Sequence, residues 1–405
     1  MAGTQRFPDA ALDAYGAAHP GTGLGIGAVL ELTGPPPSRA EVAASLRPVA
    51  ALLGTGDPLG CVEEPAEAAG RGLLDVAGDL VGRALGPRRW SCAQVTGLPG
   101  GTFALVWRAD HRLLDGAGVA GALAAWAGVP ARATAAAPRA GARTGWRVLP
   151  ADPLRAAWLC ARPLLGRRLP GALPAATALS YACAAVPLDT LRDAGRAHGA
   201  SVNDVYLAAL AGALRARPLP GATGRAVRAL VPVNVRGATD AAVLHNRHIP
   251  LRLDLPVTEP DPARRLALVA ARTRGGVRAL GHPLVGAVYR ALPAAVGGLL
   301  VERYFGEGRA DLLASNVRGP ADPLRVAGRR VLRVLPLNFL PAAHRFSAVL
   351  ATAQGTAGVG FTVAGPRAEA EALAAAWTAE ARLLAAAADQ ATTGGSSAPP
   401  MAPAR

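Results

Sequence analysis

Thr102-Phe103-Ala104-Leu105-Val106-Trp107-Arg108-Ala109-Asp110-His111-Arg112-Leu113-Leu114-Asp115-Gly116 is the stretch on which the fold of this chain turns. Its first half is an apolar run of strand length, rich in β-branched and aromatic residues. Its second half is a short polar loop, and Gly116-Ala117-Gly118 opens an apolar segment to Trp126 that reads as a helix. The loop therefore sits at the end of a buried strand, where a rigid scaffold fixes what it carries. It carries one imidazole. His111 titrates near neutral pH, so it can take a proton from a reacting group and return it. Asp115 can hold the loop through an Arg or through backbone groups, and Gly116 permits a tight turn or a close approach.

Outward from this stretch the elements alternate. Upstream, Gly25 to Leu32 reads as a strand, and Ser38 with Glu41 forms a capping-box pattern ahead of Val42, Leu46, Val49 and Leu53 at helical spacing. Cys92 to Trp107 reads as a hairpin around Leu98-Pro99-Gly100-Gly101. Downstream, residues 131–175 are rich in Ala, Arg, Pro and Gly and read as a crossover. Strands follow at Thr177 to Val186, Ala226 to Val235, Asn246 to Leu255 and Leu312 to Val317. Helices are expected after caps at Asp189 and Ser201, after Pro262, and from Pro366 to Ala386. Hairpins are expected around Ala327-Gly328 and Gln354-Gly355. The fold class is α/β: an N-terminal unit over 1–130, the crossover, a C-terminal unit over 176–388, and a disordered tail over 389–405, each unit a mixed sheet with helices.

Composition excludes several function classes. The 405 residues carry a formal charge of +15, all of the 43 basic residues being Arg. These Arg are scattered, aromatics are 4% of the chain, and no nucleic-acid-binding motif is present, so nucleic acid is not the expected partner. The cysteines at 61, 92, 160 and 183 lack metal-ligand spacing, so no metal is expected and a reducing, cytoplasmic setting is the default. Leu284 to Val301 is interrupted by Arg290, Pro293 and Gly297-Gly298, which argues for a buried helix pair rather than a membrane span. There is no P-loop, no Gly-x-Ser-x-Gly elbow, and no Gly-x-Gly-x-x-Gly between a strand and a helix. A catalytic His111 would then activate a substrate hydroxyl or amine directly, with no covalent enzyme intermediate.

Asp110-His111-Arg112-Leu113-Leu114-Asp115-Gly116 resembles the His-His-x-x-x-Asp-Gly motif of the chloramphenicol-acetyltransferase-like superfamily, which includes the peptide-synthetase condensation domains. Further segments resemble one branch of it, the bacterial wax ester synthase/diacylglycerol acyltransferase (WS/DGAT) family. Ser201-Val202-Asn203-Asp204-Val205 is similar to its Asn-Asp helix motif. Val231-Pro232-Val233-Asn234-Val235-Arg236 is similar to its Pro-Val-Ser-Val-Arg strand, and His245-Asn246-Arg247 to the Gly-Asn-Arg that follows. Ser315-Asn316-Val317-Arg318-Gly319-Pro320 is similar to Ser-Asn-Val-Pro-Gly-Pro.

This resemblance implies two chloramphenicol-acetyltransferase-like subdomains with a tunnel between them. It implies acyl transfer from acyl-CoA, a co-substrate rather than a bound cofactor, to a hydrophobic alcohol such as diacylglycerol or a fatty alcohol. His111 maps onto the general base. Asp110, Asp115 and Gly116 map onto the catalytic loop, with Asp115 held by an Arg for which Arg236 and Arg247 are candidates. Asn203, Asp204, Asn246, Ser315 and Asn316 map onto site or interface support. Contact with a membrane or lipid-droplet surface is a further implication. The chain departs from the pattern at Asp110, where the family has a first His, at Arg318 and at His245. Two alternatives stand beside this reading: an enzyme of the same fold with a natural-product alcohol or amine acceptor, and a degenerate paralogue that binds lipid or a partner.

Overall fold

A computed structural model describes residues 7–83, 85, 87, 89–130, 179–218, 226–234, 246–280, 294–306, 309–342 and 344–394. The elements that follow are those of the described residues. The first half contains α1 (Phe7–Ala18), β1 (Gly25–Leu32), α2 (Arg39–Ser45), α3 (Arg47–Leu53), β2 (Ala66–Glu67), α4 (Leu73–Val81), β3 (Trp90–Thr96), β4 (Phe103–Asp110) and α5 (Gly116–Ala127). The second half contains β5 (Leu179–Pro187), α6 (Leu188–Ala197), α7 (Val202–Ala216), β6 (Val227–Asn234), β7 (His248–Leu255), α8 (Pro262–Leu280) and α9 (Ala294–Phe305). It continues with β8 (Leu312–Arg318), β9 (Arg325–Val326), β10 (Arg329–Leu337), β11 (Phe346–Ala353), β12 (Thr356–Ala364) and α10 (Arg367–Gly394).

Two six-stranded sheets organise these elements, in the orders β2-β3-β4-β1-β10-β9 and β5-β12-β11-β8-β6-β7. Both are mixed. The β2/β3, β8/β11 and β6/β8 pairs are parallel and the rest antiparallel. The stretch from Phe103 to Asp110 is the interior strand β4, paired with β3 on one side and β1 on the other. Every residue of it is buried, which is why it reads as a continuous apolar run.

The first sheet is not built from the first half alone. Strands β9 and β10 leave the second half to join it: β10 pairs onto β1, with Val29 opposite Leu335 and Gly27 opposite Leu337, and β9 pairs onto the far side of β10. Val331, Leu335 and Leu337 of β10 are buried there. The same strand touches the second sheet. Tyr181 Oη on β5 donates to the Pro336 carbonyl at 2.7 Å. A Cβ on Gly360 of β12 would lie 2.4 Å from that carbonyl, so only glycine fits where the sheets approach. Helix α5 also lies at the junction. It is apolar nearly all round because it is covered nearly all round.

Three local expectations are corrected. The helix expected over Val42 to Leu53 is two helices, α2 and α3, divided at Leu46 ahead of Pro48. Asp189 does not cap α6. Pro187 holds the cap position, and Asp189 lies in the first turn, where Arg192 donates to it at 3.0 Å. Helix α10 continues to Gly394, into the stretch read as a tail. The crossover 131–175, residues 395–405, and residues 284–293 of the apolar region Leu284 to Val301 lie outside the described residues. No helix among the described residues is long and apolar enough to cross a membrane.

Candidate active site

The loop after β4 is fixed from three directions. The backbone amide of His111 donates to the Leu24 carbonyl at 2.8 Å, just ahead of β1. The His111 carbonyl accepts from Asn246 Nδ2 at 2.9 Å, and the same amide group donates to Asp9 Oδ1 of α1 at 3.0 Å. Asp115 is the N-cap of α5: its Oδ1 accepts from the Gly118 amide at 3.1 Å, and its Oδ2 accepts from the Arg247 amide at 3.1 Å. Asn246 and Arg247 thus hold the motif loop to the second half. The bond seen from Arg247 to Asp115 comes from its main chain, and Arg236 lies outside the described residues.

Asp110 replaces a motif imidazole, and the fold surrounds it with cations. Its carboxylate accepts from the Arg112 amide and Nε at 2.9 Å each and from Arg112 Nη2, with Arg89 Nε at 3.5 Å. Burial alone would raise its pKa, but the Arg112 hydrogen bonds and the two guanidinium charges outweigh this and hold it below the ordinary value. Arg112 also lies 3.6 Å from Asp13 of α1.

His111 shares its surroundings with a second imidazole. The ring centroids of His111 and His248 are 5.7 Å apart, and Phe339 packs edge-on against His111 at the same distance. His248 Nδ1 lies 3.9 Å from Asp115 Oδ2. Nδ1 of His111 is buried and makes no hydrogen bond of good geometry among the described residues. Burial lowers the His111 pKa most, and the neighbouring His248 lowers it further. The ring's own main-chain carbonyl, Asp115 and Asp110 pull the other way without reversing it.

His111 opens on a cavity between the sheets. Ile26, Gly27 and Ala28 of β1 line it, with Gly116, Val119, Ala120 and Leu123 of α5, Val334 and Pro336 of β10, and Val349 and Ala351 of β11. The polar side chains in this wall are His111, Ser315 and Asn338. Gly116 is where α5 meets β8: a Cβ there would lie 2.5 Å from Val317 Cγ2. Strand alternation turns Ser315 to the cavity and Asn316 away from it. Asn316 Nδ2 donates instead to Asn203 Oδ1 at 3.2 Å. Asp204 is buried as the third residue of a capping box. It accepts from the Ser201 amide at 2.9 Å and Oγ at 2.8 Å, and from Thr273 Oγ1.

The structure therefore brings His111, Gly116 and Ser315 to one cavity and sets Asp115, Asn246 and Arg247 behind the loop. It places Asn203, Asp204 and Asn316 at a separate junction. Sequence reasoning missed Asp9, His248 and Asn338. The available signals were a second His directly after His245-Asn246-Arg247 and a lone amide inside the apolar run Leu335 to Leu340.

Residues 245–379 match the family model described as the WS/DGAT C-terminal domain. A probable diacylglycerol O-acyltransferase of Mycobacterium tuberculosis is 29% identical to this chain over 307 residues, 66% of this chain and 65% of that protein. Over these residues the chain resembles the WS/DGAT family. It spans just under two thirds, 65%, of the length of the first of the curated diacylglycerol O-acyltransferases that it matches. The wax ester synthase/diacylglycerol acyltransferase of Marinobacter aquaeolei VT8 superposes with a TM-score of 0.61 at 17% identity, over 90% of this chain and 95% of that one. The first condensation domain of the calcium-dependent antibiotic synthetase superposes with a TM-score of 0.63 at 18% identity, over 95% and 96%. These likenesses establish for this chain the two-sheet fold that both structures share.

Proposed function

We propose that this protein is an O-acyltransferase that moves an acyl group from acyl-CoA to a hydrophobic alcohol, diacylglycerol or a fatty alcohol. The observation that carries the reading is a buried imidazole, its pKa lowered chiefly by burial, on the wall of a mainly apolar cavity between the sheets. Apolar walls suit an acyl chain and an alcohol of low polarity, and they exclude water that would hydrolyse the thioester.

In the proposed step the acceptor hydroxyl lies at Nε2 of His111. As the oxygen attacks the thioester carbonyl carbon, its proton passes to Nε2 and a C–O bond forms. The tetrahedral intermediate collapses with cleavage of the C–S bond. The imidazolium returns its proton to the departing thiolate, leaving an ester and free coenzyme A. The protein forms no covalent bond to the acyl group. Asp115 and Asn246 support this step by fixing the loop, and Asp110 serves the loop's ion pairing. Peripheral contact with a membrane or lipid surface would deliver both substrates and is part of the same proposal.

Purified protein is to be assayed with acyl-CoA and either diacylglycerol or a fatty alcohol. His111→Ala is expected to lower turnover by about 10²–10⁴-fold, the usual worth of a general base, with unchanged circular dichroism. Turnover at the wild-type level in that variant removes the mechanism. Turnover confined to amine acceptors or carrier-bound thioesters replaces the substrate assignment.

A further inference from the structure

We propose that Asn338 is a substrate-contacting residue whose side-chain amide donates a hydrogen bond to the carbonyl oxygen of the bound acyl thioester. This rests on the acyl-transfer reading above and adds to it the group that meets the developing negative charge.

Asn338 follows the last residue of β10, within Leu335-Pro336-Leu337-Asn338-Phe339-Leu340, and is 6% exposed. Its main chain is anchored, since the Asn338 carbonyl accepts from Thr362 Oγ1 at 3.0 Å on β12. The next residue, Phe339, packs edge-on against the His111 ring. Asn338 itself lines the cavity into which His111 opens. Its Nδ2 is buried and has no hydrogen-bond partner among the described residues.

Such a donor costs stability in the free protein, because burial removes its water and nothing replaces it. An apolar residue of the same size would remove that cost. A buried amide with no internal partner in the wall of a cavity is therefore explained by an acceptor that arrives from outside. The charge of the donor narrows the class of that acceptor. A neutral amide suits an oxygen that is uncharged in the ground state and becomes an oxyanion on attack, which describes a thioester carbonyl. In an apolar site such a preoriented donor is worth far more than in water.

The test compares Asn338→Leu and Asn338→Asp in the full chain, measuring kcat, KM and thermal midpoint. Asn338→Leu is expected to lower kcat by about 10²–10³-fold, to leave KM within a small factor, and to hold or raise the thermal midpoint. Asn338→Asp keeps the shape, loses the donor and should lose kcat similarly. Either variant retaining wild-type kcat overturns the assignment. So does a fall in thermal midpoint in both, because that result marks a structural amide. The two readings fail separately. Full turnover in His111→Ala removes the mechanism proposed above whatever Asn338 does. Loss of turnover there with unchanged Asn338 variants removes this inference alone.

Discussion

His111 and His248 share one site, and two imidazoles so close cannot both carry a proton cheaply. Burial is the larger influence on His111 and His248 the next, and both lower its pKa from the ordinary value. A base works only when unprotonated, so a lowered pKa extends activity toward acid: the acid limb of the rate profile should fall below about 6.5, the usual imidazole value. His248→Gln removes the neighbouring ring that opposes protonation of His111. The acid limb should then move to higher pH by a fraction of a unit to about one unit, measured as log(kcat/KM) against pH. An unmoved limb would show that the two rings do not communicate. The residue scale is also where the sequence was least legible. His111 and Asp115 stand out by spacing, but the clamp on Asp110 does not, because Arg89 reaches it across strands. From sequence, Asp110 reads only as a departure from the first His of the motif. In the fold its carboxylate is committed to Arg112 and Arg89.

At the scale of elements, local rules account for most of what forms. The Ser38/Glu41 and Ser201/Asp204 boxes start α2 and α7 where their patterns say, because a capping box depends only on residues three apart. The hairpins at Leu98 to Gly101 and at Gln354-Gly355 are legible for the same reason. Helices α1 and α4 were not picked out, and α1 matters because it brings Asp9 and Asp13 to the motif loop. Contact between elements is a different matter. Gly116 reads from sequence as a tight turn or a close approach, and the structure shows the close approach, with α5 resting on Val317 of β8. Gly116→Ala should therefore push α5 from β8. The expected cost is about 1–3 kcal/mol, as for other overpacked sites, read as a lowered denaturation midpoint with reduced kcat. A neutral or stabilising result would mean that Val317 yields without strain.

At the scale of the whole molecule, the architecture of two mixed sheets was legible from alternating strands and helices, but the membership of the first sheet was not. Pairing of Val29 with Leu335 joins residues from opposite ends of the chain, and no local pattern reports it. The segment between β10 and β11 that closes this crossing also buries His344, whose Nδ1 lies 3.1 Å from the Ala342 carbonyl. Burial pushes the His344 pKa down to about 4. A buried neutral imidazole binds its proton less readily folded than unfolded, so its contribution is intact above about pH 6.5 and is lost as pH falls toward 4. Across that window the loss should reach about 3 kcal/mol. Urea denaturation of wild type against His344→Gln should show the wild type losing stability more steeply between those limits. Parallel curves would remove His344 as the cause.

The route of β10 also bears on how the chain can be made. On the ribosome β1, β3 and β4 emerge long before residues 329–337. Until then β1 has a bare edge, its backbone donors and acceptors open to any strand that comes near. The first half is thus a nascent chain in need of custody. Severing the chain between the halves should yield two fragments that regain order only together, the second completing the first as a missing strand completes a sheet.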